Sequence, residues 1–235
     1  MHRSRGMLLT VVIFDCDGVL VDSERLAARA MCNVLAGAGL SISPDELMRF
    51  CVGLSQRDIL AAVADRLGRP VPETVMPALW PATRALFAAE LAAMPGVAEV
   101  LRALELPVAV ASSSPPERIA FSLERAGLHG HFGDNVFSSA MVARGKPAPD
   151  LFLHAARRMD VPAASCVVVE DSIAGTLAAR AAGMRVLGFV GGSHSDAGLA
   201  ERLRQAGATA IIPHWAEGLP ALRRAARMSD LKMQR

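Results

Sequence analysis

A doubly wound α/β fold with an inserted, all-helical second unit is predicted by three observations. Short apolar runs, most of them β-branched, recur along the chain with the length and composition of buried parallel strands. Helical patterns with recognisable start and stop signals separate these runs. Between the first two runs that rhythm breaks, and residues 23–93 carry helical patterns only. Strand–helix alternation on either side of such a stretch implies a parallel sheet covered on both faces, with the helical stretch set apart.

The elements follow in chain order. Strands are expected over residues 8–14, 107–111, 167–169, 185–190 and 210–212, with a shorter one over 135–137. Within the insert, helices are expected over 24–36, 44–50, 55–67 and 73–93; Ser55 is the N-cap of the third and Gly68 its terminator. Met94-Pro95-Gly96 then returns the chain to the α/β rhythm. The helix over 116–126 opens on a proline in its first turn and stops before Gly127, and the helix over 149–159 opens in the same manner. The helix over 172–182, capped by serine or aspartate, stops at Gly183. The basic tail over 221–235 reads as a solvated helix end. The expected domains are a core of residues 1–22 and 94–235 and a helical cap of residues 23–93.

Composition excludes several function classes. Of 235 residues, 52% are hydrophobic and 20% charged, enough for a sizeable core and unlike a disordered chain. Lys+Arg 25 against Asp+Glu 23 leaves +2, too balanced for a nucleic-acid-binding surface. Cys16, Cys32, Cys51 and Cys166 are scattered without a CxxC pair, which fits a reducing compartment and neither a disulfide framework nor a zinc site. No apolar run approaches the ~20 residues of a membrane span. The basic, then apolar, start is followed at once by two aspartates rather than by a cleavage site, so it reads as a strand, not a signal peptide. The expectation is a soluble, cytoplasmic, monomeric protein without nucleic-acid or membrane partners. One oddity stands out: Lys146 and Lys232 are the only lysines in an arginine-rich chain, which is either chance or a need for an ammonium at position 146.

In open α/β sheets the ligand sits beyond the carboxyl ends of the strands. There the sequence places Asp15-Cys16-Asp17-Gly18, Ser112-Ser113-Ser114, Gly145-Lys146-Pro147 and Glu170-Asp171-Ser172. Two acidic clusters, one hydroxylic and one cationic suit phosphoryl transfer through a carboxylate. One aspartate serves as nucleophile, and a hard cation such as Mg²⁺ neutralises phosphate charge. A second carboxyl protonates the leaving oxygen and later activates water, while a hydroxyl and a lysine clamp the phosphate oxygens. Each cluster also has a plain structural reading: a turn, a helix cap, or acids at a helix N-terminus. A P-loop is excluded, since it needs glycine where Ala140 stands and Ser or Thr where Pro147 stands. The remaining polar oddities read as structural. His129 and His131 belong to a surface turn, Cys16 is a small buried filler, and Gly191-Gly192-Ser193-His194 forms a loop rim. Asp22 anchors the first acidic loop.

The run Asp15-Cys16-Asp17-Gly18-Val19-Leu20-Val21-Asp22-Ser23-Glu24 resembles the first motif of the haloacid dehalogenase superfamily. Ser112, Gly145-Lys146-Pro147 and Glu170-Asp171 stand where its second, third and fourth motifs belong. The helical insert is similar to the small cap of the subgroup that holds sugar-phosphate phosphatases, phosphoglycolate phosphatase and β-phosphoglucomutase. This resemblance implies a Rossmann-like core and an Mg²⁺-dependent phosphatase that works through an aspartyl-phosphate on a small phosphorylated metabolite, a sugar or polyol phosphate. By it, Asp15 is the nucleophile, and Asp17 the general acid/base and a metal ligand through its carbonyl. Asp15, Glu170 and Asp171 complete the metal set, while Ser112, Ser113 and Lys146 hold phosphate. The cap segment Gly53-Leu54-Ser55-Gln56-Arg57 either brings Gln56 and Arg57 to the far end of the substrate or leaves Arg57 facing solvent on a capped helix; both readings stand on the sequence.

Related reactions fit less well. A dehalogenase attacks carbon and needs neither Asp17 nor the metal acids. Phosphonate hydrolysis needs a cap lysine, and residues 23–93 contain none. A β-phosphoglucomutase-like enzyme carries a lysine shortly after its second motif and a histidine in its first cap helix; here Ser114-Pro115-Pro116 and Leu26-Ala27-Ala28 stand instead. A non-catalytic binding protein would have no need for Asp17 beside Asp15.

Overall fold

The computed structural model describes residues 10–51 and 56–233. Strand β1 (Val11–Phe14) is followed by four helices: α1 (Glu24–Gly37), α2 (Pro44–Cys51), α3 (Gln56–Leu67) and α4 (Val75–Glu90). They share an apolar cluster of their own, with Met31, Leu35, Leu47, Val63 and Leu79 buried at its centre. Helix α5 (Val97–Ala103) then leads into β2 (Val108–Ser112), α6 (Pro116–Arg125), α7 (His129–Phe132), β3 (Val136–Ser138) and α8 (Asp150–Arg158). The chain closes with β4 (Cys166–Glu170), α9 (Ile173–Ala181), β5 (Arg185–Phe189), α10 (Leu199–Ala206), β6 (Ala210–Ile212) and α11 (Gly218–Met233). No helix among the described residues is long and apolar enough to cross a membrane.

All six strands pair in parallel in the order β3-β2-β1-β4-β5-β6. The sheet is therefore doubly wound: the chain grows outward from β1 to one edge, then restarts at β4 on the other side of β1. Side chains alternate across the pleat. Val12 and Phe14 join Val110, Val167, Val169 and Phe189 under α5, α6, α7 and α11. Val11 and Ile13 join Ala109, Ala111, Val168 and Val186 under α8 and α9. Both faces are dry, which is why these strands read as unbroken apolar runs rather than alternating ones. Each fully buried Val, Ile or Phe contributes on the order of 1.5–3 kcal/mol relative to exposure.

Several boundaries differ from the sequence expectation. The start of the first expected strand, at residues 8 and 9, lies outside the described residues, and Thr10 precedes β1. Pro107 has no N–H to give a ladder and only accepts, from Val12 N at 3.0 Å, so β2 begins at Val108. Helix α4 ends at Glu90 rather than at 93 because the chain there pairs with the segment after β1. Asp22 N donates to Ala92 O (3.3 Å), Met94 N donates to Leu20 O (2.8 Å), and Val21 bridges Ala93 antiparallel. The tail is not merely a solvated end: α11 begins at Gly218 and buries Ala221, Leu222 and Ala225 against the sheet. His129 and His131 lie on α7, a single helical turn, rather than in an irregular one.

Candidate active site

The winding direction changes between β1 and β4, so a crevice opens at their carboxyl ends. β1 delivers Asp15, whose N–H continues the ladder to Val169 O at 2.9 Å. The chain then turns sharply. Leu20 N and Val21 N both donate to Cys16 O, and Gly18 N donates to Val21 O. Gly18 adopts φ +73°, and a β-carbon there would stand 1.8 Å from Asp171 Oδ2, so only glycine lets the loop and β4 approach so closely. The buried Trp215 indole pins this loop from below by donating to Val19 O at 3.0 Å.

Lys146 is buried beneath the loop and uses all three ammonium donors: Asp15 Oδ1 at 2.7 Å, Glu170 Oε1 at 2.6 Å and Ala111 O at 2.9 Å. Burial would lower its pKa, but Asp15 and Glu170 reverse that and hold it above the ordinary value. The other oxygen of Glu170 accepts from Ser172 N and Oγ at 2.9 and 2.8 Å, while Ser172 Oγ in turn caps α9 by accepting from Gly175 N. Burial raises the Asp15 carboxyl well above its usual value; Lys146 opposes this, whereas Glu170 and Asp171 add to it. Burial likewise raises Asp171. Oxygens of Asp15, Glu170 and Asp171 lie within 4.8 Å of one another. Three buried carboxyls facing one ammonium form a donor set that fits a hard divalent cation.

Asp17 sits apart from that cluster, in a clasp. Ser23 Oγ and Arg118 Nη2 donate to its Oδ1 at 2.6 and 2.7 Å, and Ser114 Oγ to its Oδ2 at 2.6 Å. Burial alone would raise this carboxyl, but Arg118 and the hydroxyls outweigh it and hold it below the ordinary value. Ser112 is buried, with its Oγ accepting from Ser114 N at 3.1 Å. Ser113 is exposed and turns its carbonyl to Ser139 Oγ.

A cavity of about 380 Å³ joins these groups to the helical insert. Asp15, Asp17, Ser112, Ser113, Lys146 and Asp171 line it from the sheet side. Of the two insert residues expected there, Gln56 lines the cavity, while Arg57 is exposed and is not among its lining residues. Successive helical residues point about 100° apart, so α3 cannot aim both inward. Gly53, Leu54 and Ser55 lie outside the described residues.

Three further residues come to the site for which the sequence reading assigned no role there. Glu24 and Arg118 line the cavity. His194 is not on a loop rim: its buried imidazole lies 3.0 Å from Asp171 Oδ2. Burial would lower the His194 pKa, but Asp171 beside it raises it. Its loop is tied to the first acidic loop by Ser193, whose N and Oγ both donate to Asp22 Oδ1, giving Asp22 the anchoring role expected of it. Cys16 is buried, and that burial pushes its thiol pKa well up, as suits a filler rather than a reactive group.

A buried carboxylate–lysine cluster at the switch point of a doubly wound sheet defines a class, the α/β enzymes built for phosphoryl chemistry. Comparison narrows it. The haloacid dehalogenase-like hydrolase profile matches residues 9–183. The 6-phosphogluconate phosphatase of Escherichia coli K12 is 33% identical over 188 residues, spanning 80% of this chain and 85% of that protein. The phosphorylated carbohydrates phosphatase of Thermotoga maritima is 32% identical over 209 residues, spanning 87% and 94%. A conserved haloacid dehalogenase-like protein of Agrobacterium tumefaciens superposes with a TM-score of 0.83 at 36% identity, over 93% of this chain and 99% of that one. The chain belongs to the haloacid dehalogenase-like hydrolases. Within that family its relatives include phosphatases of phosphorylated sugars and sugar acids, and the chain is, like them, a phosphoric monoester hydrolase.

Proposed function

We propose that the protein hydrolyses a small sugar or polyol phosphate, with Mg²⁺ bound, through a phosphorylated Asp15. The observation that carries this reading is the convergence of Asp15, Lys146, Glu170 and Asp171 in one buried cluster, with Asp17 two residues beyond the nucleophile. Phosphatases of phosphorylated sugars and sugar acids among the relatives support it. Asp15, Asp171 and the carbonyl of Asp17 would hold the ion. Glu170 stands beside them with both oxygens already accepting, and so acts chiefly by orienting Lys146. Bound there, Mg²⁺ supplies the charge neutralisation that lets a carboxylate approach a phosphate.

The remaining steps fall to the chain. Ser112 and Lys146 Nζ, which gives up one of its three present acceptors to do so, hold the non-bridging phosphate oxygens. A carboxylate oxygen of Asp15 attacks phosphorus; the bond to the ester oxygen breaks as the Asp15–phosphorus bond forms, and a protonated Asp17 gives its proton to the leaving alkoxide. Asp17 then takes a proton from water as the water oxygen attacks phosphorus. The Asp15–phosphorus bond breaks, inorganic phosphate leaves and Asp15 is again a carboxylate. Residues 23–93 serve in this reading as a cap over a core of residues 1–22 and 94–235, since Leu47, Gln56 and Leu79 line the same cavity as Asp15. Phosphomutase activity is disfavoured: Ala27 and Ala28 offer methyl groups to the cavity where a mutase-like enzyme carries a histidine. The test is Asp15→Asn, nearly isosteric. It is expected to abolish Mg²⁺-dependent phosphate release with the circular dichroism spectrum unchanged; substantial turnover in the folded variant would overturn the mechanism.

A further inference from the structure

Arg118 is the cation that the phosphatase chemistry leaves unused. It lies in the first turn of α6 with its side chain 12% exposed, and its guanidinium carbon stands 5.2 Å over the ring of Phe87. Among the described residues its guanidinium donates one hydrogen bond, from Nη2 to Asp17, and its Nε is buried without a partner. A guanidinium has five N–H donors, and burying them without acceptors is unfavourable. Lys146, the other cation of the cavity, is committed to Asp15, Glu170 and Ala111 and, in the phosphatase reading, to the phosphate itself. Arg118 is thus the sole cationic lining residue, among those described, with donors to spare. Beyond it the cavity wall is largely apolar, formed by Ala27, Met31, Leu47 and Leu79. A substrate whose only anion is its phosphate offers this guanidinium hydroxyl acceptors but no second charge.

We propose that Arg118 receives a carboxylate at the end of the substrate remote from the phosphate, so that phosphorylated sugar acids are preferred over phosphorylated polyols. This rests on the phosphatase reading above. A carboxylate matches the planar donor fork. It also brings one negative charge toward Asp17 and Glu24, where a second phosphate would bring nearly two.

The experiment measures phosphate release, with Mg²⁺ present, from 6-phosphogluconate, sorbitol 6-phosphate, fructose 1,6-bisphosphate and p-nitrophenyl phosphate. The enzymes compared are wild type, Arg118→Met and Arg118→Lys. Wild type is expected to favour the acid over the polyol in kcat/KM by about tenfold or more, the worth of a charge-assisted hydrogen bond. Arg118→Met should lose that preference mainly through the KM of the acid, and Arg118→Lys should keep part of it. Absence of the preference in wild type, an equal loss on acid and polyol in Arg118→Met, or preference for the bisphosphate would each overturn the proposal. Should the Met variant fail to fold, wild type and the Lys variant still decide. Release from none of the four compounds would instead overturn the phosphatase reading on which it rests.

Discussion

The carboxylate of Asp17 rests among three donors, and it must leave them to carry a proton. Asp17→Asn should therefore cost the ~10²–10⁴-fold typical of a lost general acid when the leaving group is an alkoxide. The loss should shrink when single-turnover phosphoenzyme formation uses an activated aryl phosphate; equal losses on both would contradict the acid role. Glu24 gives a second test at this scale. Burial, and then the neighbouring Asp17, push its carboxyl from 4.5 up to about 7. The folded protein thus keeps a proton that the unfolded chain releases, and the metal-free protein loses stability as pH rises from about 4.5 to about 7. Glu24→Gln removes its own share of that slope, while the raised carboxyls of Asp15 and Asp171 keep theirs. In EDTA it should be more stable than wild type at pH 8, by at most about 3 kcal/mol, and equal to it at pH 4.5, as read from urea unfolding. That Asp15, Lys146, Glu170 and Asp171 would meet was legible in the sequence, because all four fall at or just beyond strand ends of an open α/β sheet. Arg118, Glu24 and His194 were not, since a lone arginine, glutamate or histidine acquires meaning only from what the fold sets beside it.

Helix α9 is the element most tightly bound to the chemistry. It buries Ala178 and Ala179 under the sheet, and its first turn holds Gly175. In an ordinary helix Gly→Ala stabilises by roughly 0.8–1 kcal/mol. Here a β-carbon would fall 1.8 Å from Glu170 Oε1. Gly175→Ala should therefore destabilise the protein by about 1–3 kcal/mol, as overpacking does, and lower kcat by displacing Glu170 from Lys146. A raised melting temperature would refute this. The same contest between local preference and tertiary contact explains which element boundaries the sequence hides. Ala92 and Ala93 are good helix formers, so the pattern runs on to 93, yet pairing with Leu20, Val21 and Asp22 draws them out of α4. Helices α5, α7 and α10 are only 7, 4 and 8 residues long, too short to show a clear period. The strands were plainer, because burial on two faces leaves a run of Val, Ile and Ala that little else produces.

For the molecule as a whole, the proposed metal ligands come from the two middle strands of the sheet, so ion binding and global folding are linked. Mg²⁺ at a hundred times its dissociation constant should add about 2.7 kcal/mol to the free energy of unfolding, and Asp171→Asn should remove that gain. An unchanged response to Mg²⁺ in that variant would take Asp171 out of the metal set. The doubly wound order and the helical interruption were both visible in the sequence; the seam where the interruption begins and ends was not, because it depends on hydrogen bonds between segments some seventy residues apart, Asp22 with Ala92 and Leu20 with Met94. That seam has a wider consequence. The polypeptide leaves the sheet and comes back to it at one stitched point, with Leu26, Phe87 and Leu91 as its apolar footing. Changes above that footing, clear of the contacts that α4 makes with α6, leave the strand register to the sheet itself. In the proposed reading, inheritance can thus treat the excursion as a cassette, altering what the enzyme accepts while the groups proposed to break the bond stay where they are.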